Sequence, residues 1–182
     1  MSTTDLGSTL NASDMRWLVG ELRSDHAGET GAVAIYHGIL SVARDPELRQ
    51  FAQRHLQTEA SHLAKIAALL PDADHSRLLP LWKAAGYLTG AIPACFGSAA
   101  VFMTIDAVET FVETHYLSQI QRLAACGEYE VRALLNACLA DEVEHRDEAR
   151  HLSPDEIGFL GRCWQWLVGA GSHFAVGLAR KY

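Results

Sequence analysis

The chain has 182 residues and a formal charge of −7, from 15 Lys and Arg against 22 Asp and Glu. That length suits a single domain, 1–182, with a sizeable core, and the acidic balance excludes a nucleic-acid surface, which needs clustered Lys and Arg. Cys95, Cys126, Cys138 and Cys163 form no Cys-x-x-Cys pair, which disfavours a zinc ribbon or a rubredoxin-type centre and suits small core residues of a reducing compartment.

The opening stretch, MSTTDLGSTLNASD, holds acids and no base before Arg16. It matches neither a secretory signal nor an Arg-rich transit peptide, so the expected location is cytosolic or cytosol-facing. Asn11 or Ser13 caps a first helix that runs to about Arg44. Asp45-Pro46 then supplies an N-cap and a proline at the first helical position, opening a second helix to about Leu70. After the loop PDADHSRLLP, residues 84 to 105 contain no Asp, Glu, Lys, Arg or His. That run equals the roughly 20 residues a membrane span needs, but three glycines and Pro93 interrupt it, and Asp106 and Glu109 follow at once. One expectation is a broken helix lying in or against a membrane surface, with Trp82 and Lys83 at its edge. The C-terminal helix, with Trp164, Trp166 and Phe174 and ending in Arg180-Lys181, would lie beside it. The other is a buried connecting helix, since apolar runs are often core.

A third bundle helix is expected over about 98 to 125, and Gly127 separates it from a fourth over about 129 to 151. Ser153-Pro154-Asp155-Glu156 reads as a capping box opening the C-terminal helix. No alternating β-branched run argues for a sheet. The fold class is all-α, with long antiparallel helices joined by short links as in a bundle.

Chemistry enters with Glu59-Ala-Ser-His62 and Glu142-Val-Glu-His145. Each sets a carboxylate and an imidazole on one helix face, where both can bind one metal ion. Such a pair is weak alone: Glu148-Ala-Arg-His151 has the same spacing, sits elsewhere around the fourth helix, and reads as a solvated pair. An internal repeat lifts the other two. Glu29 and Glu109 begin the matched strings ETGAVAIY and ETFVETHY, each with a tyrosine seven residues on, Tyr36 and Tyr116. Two copies of one helical hairpin, each offering a single Glu and a Glu-x-x-His, would bring Glu29, Glu59, His62, Glu109, Glu142 and His145 to one point. That inventory is the di-iron or di-manganese carboxylate site of ferritin-like bundles. Two divalent ions would balance four buried carboxylates, which would otherwise repel and take up protons.

Around this set several roles stay open. Asp25 either orients a ligand histidine or is an exposed acid, and Glu113 is either a further ligand or a surface acid. Tyr36 and Tyr116 either hydrogen-bond near the site or are core tyrosines with a polar contact. His115 lies off the Glu109 stripe.

The strings DHAGETGA (25–32), TEASHL (58–63), AVETFVETHYLSQI (107–120) and DEVEHRDEA (141–149) resemble the demethoxyubiquinone hydroxylase family of membrane-associated di-iron monooxygenases. LPLWKAAGYLTGA (79–91) and the C-terminal AGSHFAVGLARKY extend the likeness. The resemblance implies the same six ligands, and places the family's His-Tyr pair on His115 and Tyr116, near the quinone or the electron route. It implies hydroxylation of a demethoxy-polyprenyl-benzoquinone ring in ubiquinone biosynthesis, with two iron (or manganese) ions and dioxygen. It also implies a peripheral place on the cytoplasmic face of the inner membrane, and a homodimer or a biosynthetic complex. No Gly-x-Gly-x-x-Gly fingerprint is present, so electrons come from outside, from NADH or a reductase. Thr30 and Arg146 depart from the family pattern and leave room for a paralogue acting on another lipid. The competing classes are a ferritin-like ferroxidase and a membrane-associated helical scaffold.

Overall fold

The computed structural model describes residues 10–154 and 156–182. Among the described residues there are six α-helices: α1 Ala12–Val42, α2 Pro46–Ala67, α3 Leu79–Ala94, α4 Ser98–Cys126, α5 Tyr129–Leu152 and α6 Phe159–Ala179. Their ends follow local chemistry. Asn11 accepts from the backbone N–H of Ser13 and Asp14, Asp45 accepts from that of Glu47, and Pro46 enters α2 where no N–H is missed. Gly127 closes α4 in the left-handed conformation at φ 75°, which a side chain would resist.

The expected capping box does not open α6. That helix starts at Phe159, with Gly158 as N-cap and no side-chain cap. Ser153 Oγ instead donates back to the Ala149 carbonyl at 2.9 Å, so its hydroxyl is spent closing α5. Asp155, also part of that motif, lies outside the described residues, as does most of the acidic N-terminal stretch.

Hairpins α1/α2 and α4/α5 pack into the four-helix bundle, with α1 against α4 and α2 against α5, while α3 and α6 lie outside it. Helix α3 sits on α1 through backbone contact: a Cβ at Gly86 would lie 2.3 Å from the Gly31 carbonyl oxygen, and one at Gly90 would lie 1.9 Å from that of Ile35. The loop before α3 is docked on α1 too. The His75 ring stacks on buried His26 at 4.0 Å, and Arg23 Nε donates to the Asp74 carbonyl at 2.6 Å.

The apolar run 84–105 therefore becomes most of α3 and the first turns of α4, broken at Gly97, whose φ is 100°. One face of it is buried and the other exposed. Gly86, Gly90 and Ala91 are buried, whereas Leu88, Ile92 and Phe96 are exposed. Helix α6 is similar, with Leu160, Trp166 and Phe174 exposed and Ala179 its one buried residue. Among the described residues no helix is long and apolar enough to cross a membrane. The cysteines depart from the core expectation: Cys138 is buried and Cys126 half-buried, but Cys95 and Cys163 are exposed.

Candidate metal centre

The inner stripe of α2 runs Leu48, Phe51, His55, Glu59, His62, Ile66, and that of α5 runs Val131, Leu135, Cys138, Glu142, His145, Ala149. Both follow three-and-four spacing, so each Glu-x-x-His pair replaces two apolar residues in the middle of a core-facing stripe. Glu29 and Glu109 approach from α1 and α4. All six sequence-derived residues meet, and none is more than 5 % exposed, although charged side chains are seldom buried without partners.

They form two overlapping groups, Glu29, Glu59, His62 and Glu142, and Glu59, Glu109, Glu142 and His145, whose donor atoms lie within 4.8 Å of one another. Glu59 and Glu142, the carboxylates of the two Glu-x-x-His pairs, belong to both. His62 Nδ1 is 3.0 Å from Glu142 Oε1 and 4.0 Å from Glu29 Oε2. His145 Nδ1 is 3.0 Å from Glu59 Oε1 and 3.6 Å from Glu142 Oε2.

Four buried carboxylates so close together repel one another. Burial, then the Glu142 charge, pushes Glu29 up to about 7. The same two causes hold Glu59 and Glu109 well above the ordinary carboxylate range. Burial would raise Glu142 as well, but the His145 and His62 imidazoles beside it bring it down to about 2. For both histidines burial works to lower the pKa, and the contact with Glu142 reverses it upward. Glu29 Oε2, Glu59 Oε1, Glu142 Oε2 and His145 Nδ1 are buried without a hydrogen-bond partner. Four orphaned donor atoms converging on one point fit a pair of cations, and an oxygen-rich set without thiolate suits iron or manganese better than structural zinc.

The surrounding groups have partners of their own. Asp25 is buried, but it serves no ligand histidine: its Oδ1 lies 3.1 Å from His115 Nε2 and accepts from Gln119 Nε2 at 2.7 Å. The carboxylate behind a clustered histidine is Asp141, whose Oδ2 is 2.9 Å from His62 Nε2. Glu113 pairs with Arg146 and belongs to neither donor group. Glu148 is not merely solvated, since its Oε2 lies 2.8 Å from Nε2 of buried His55. Tyr116 donates to Glu29, and the Tyr36 hydroxyl lies 3.2 Å from His55 Nδ1.

Beside the cluster lies a cavity of about 390 Å³ between α1, α3, α4 and α6. Its wall includes Glu29, Glu59, Glu109 and Glu142 together with Trp82, Phe111, Val112 and Leu167. His115 and Tyr116 also line it, so the structure brings both to the cavity, with Tyr116 alone touching a clustered carboxylate. Sequence reasoning missed Asp141 and His55. His55 was detectable as a polar residue on an otherwise apolar stripe, four before Glu59. Asp141 carries no such signal.

The two-hairpin bundle with a buried Glu/His cluster at its centre defines the class as ferritin-like. Residues 16–179 match the family described as ubiquinone biosynthesis protein COQ7, and the chain belongs to that family. It is 38% identical over 129 residues to a 3-demethoxyubiquinol 3-hydroxylase of Rhodospirillum rubrum, covering 69% of this chain and 60% of the relative. It is 29% identical over 167 residues to a mitochondrial NADPH-dependent 3-demethoxyubiquinone 3-hydroxylase of Dictyostelium discoideum, covering 88% and 75%. A 3-demethoxyubiquinol 3-hydroxylase of Ralstonia pickettii is 31% identical over 151 residues, covering 82% and 69%. The chain thus spans about three fifths to three quarters of the length of these relatives.

Proposed function

We propose that this protein is a di-iron monooxygenase that hydroxylates the ring of a demethoxy-polyprenyl-benzoquinone, or of its quinol, in ubiquinone biosynthesis. One observation carries the proposal: four carboxylates of the buried cluster are also part of the wall of an apolar cavity. A storage site needs an entry path for ions, whereas a site facing an apolar cavity is suited to an apolar organic substrate.

Glu29 and His62 would hold one ion, Glu109 and His145 the other, with Glu59 and Glu142 shared. Iron, or manganese in its place, supplies the redox capacity to activate dioxygen when bound. The chain's own residues do the rest. Trp82, Phe111, Val112 and Leu167 exclude water from the ring's position. Tyr116 fixes the Glu29 carboxylate by donating to it, and His115, held by Asp25, offers a polar contact to the ring oxygens. Electrons come from an external donor, a reduced nicotinamide in keeping with the name of the Dictyostelium relative. The exposed apolar faces of α3 and α6, with Arg180 and Lys181 beside them, suit peripheral contact with the cytoplasmic face of an inner membrane that holds the polyprenyl tail.

The test is an anaerobic titration of the reduced, iron-loaded protein with a short-tailed demethoxyquinone, followed by oxygen and mass analysis of the quinone. A product heavier by one oxygen atom, absent in Glu59→Ala and Glu142→Ala, is the expected result. Iron oxidised while the quinone stays unchanged would overturn it.

A further inference from the structure

His62 and His145 are counterparts in the repeat, yet the fold holds them by different means. Behind His62 stands a carboxylate, with Asp141 Oδ2 2.9 Å from Nε2, the contact that commonly fixes the plane and tautomer of a ligand imidazole. Behind His145 there is none: among the described residues, the carboxylates within 4.0 Å of it, Glu59 and Glu142, both face Nδ1, on the cluster side. Its ring is instead stacked on that of His55, with centroids 3.9 Å apart and planes at 30°.

His55 is pinned from every side. Its Nδ1 lies 3.2 Å from the Tyr36 hydroxyl, its Nε2 lies 2.8 Å from Glu148 Oε2, and the Phe51 ring lies 4.0 Å away. Arg54 holds Glu148 in turn. His55 is 3 % exposed and belongs to neither donor group of the cluster. A buried imidazole with both nitrogens and one face engaged, and its ring laid on a ligand histidine, has no part in the chemistry described so far.

Building on the metal-centre reading, we propose that His55 is the positioning residue for His145. By stacking, it fixes the ring plane that aims Nδ1 at the shared carboxylates. The χ2 torsion of histidine is broad, so a ligand ring needs an external constraint to keep its in-plane lone pair on the ion. Rotation of the His145 ring would drive its edge into the ring at position 55, which burial and the Phe51 ring prevent from yielding. The consequence is an inequivalent pair of ion positions. A carboxylate behind a ligand imidazole raises its basicity, whereas a stacked ring orients without doing so. The Glu29/His62 position is therefore the tighter one, and the Glu109/His145 position depends on His55.

The experiment is an anaerobic titration of the metal-free full chain with Co(II), following visible absorption and bound metal, with circular dichroism to confirm helix content. Wild type takes up two ions per chain in two resolved steps. His55→Leu, which fills the space without a ring, keeps the first step and weakens the second about 10- to 100-fold, the usual cost of losing such support. His55→Phe, which keeps the ring but neither hydrogen bond, restores the second step. Asp141→Ala weakens the other step instead. Two ions bound by His55→Leu with wild-type affinity, or a second step equally weak in the Phe and Leu variants, would overturn the stacking role while leaving the metal centre intact. A wild-type chain that takes up no Co(II) would overturn the metal centre and this inference together.

Discussion

The Tyr116 hydroxyl on α4 donates to the Glu29 carboxylate on α1, joining the two hairpins at the edge of the cavity. Tyr116→Phe removes one bond to a charged group without opening space, a contribution of about 1.5–3 kcal/mol. The expected result is roughly a tenfold weaker hold on the ion at the Glu29/His62 position with the helix content unchanged. A metal titration checks it, and unchanged affinity would show that Glu29 is placed by packing alone.

Shared and unshared carboxylates should differ in how much metal their loss removes. Glu59→Gln and Glu142→Gln each strip a donor from both groups, whereas Glu29→Gln and Glu109→Gln each touch one. Metal analysis after desalting is expected to give near-zero content for the first two variants and about one ion for the others, the pattern of two overlapping ligand sets. Equal losses in all four would contradict the sharing.

His26 supplies a pH dependence. Burial, then the nearby His75 and Lys83 charges, lowers it to about 4 from an ordinary value of 6.5. Below that ordinary value the unfolded chain binds a proton that the folded chain refuses. Stability is thus lost as pH falls from 6.5 to about 4, by at most about 3 kcal/mol. His26→Phe keeps the stack on His75 and removes the titration. Urea midpoints across that window should fall less in the variant than in wild type.

Two glycines on outer helices should respond oppositely to alanine. At Gly90 the new Cβ would lie 1.9 Å from a backbone oxygen of α1, so α3 must shift, with an expected loss of about 1–3 kcal/mol. At Gly169 on α6 nothing lies within 4 Å, and the better helix former should add about 0.5–1 kcal/mol. Thermal melting distinguishes them.

The six clustered residues were legible because helical spacing and an internal repeat are properties of one dimension, and α1, α2, α4 and α5 followed from caps and prolines. What joins residues across helices was not. Asp141 follows Lys- and His-free sequence in α5 and gains its meaning only from His62 on α2. Asp25 shares a helix face with Glu29, yet the partner it finds is His115 on α4. The start of α6 was misread because Ser153 suits either end of a helix, and its hydroxyl found an acceptor in α5 first.

The two outer walls of the cavity are packed differently, which predicts different mechanical compliance. Helix α3 meets α1 backbone to backbone at Gly31, Ile35 and Gly38, with the Tyr87 hydroxyl donating to Ser41 Oγ at 2.8 Å beside that seam. Helix α6 buries Ala179 alone, and Gly169, Gly171 and Gly177 stand clear of any neighbour. The first wall is expected to move only with the helix that carries Glu29, and the second, held to α4 by side chains such as Trp164 on Thr104, to yield more readily. Amide hydrogens of α6 are expected to exchange faster than those of α3, and equal protection would contradict this difference.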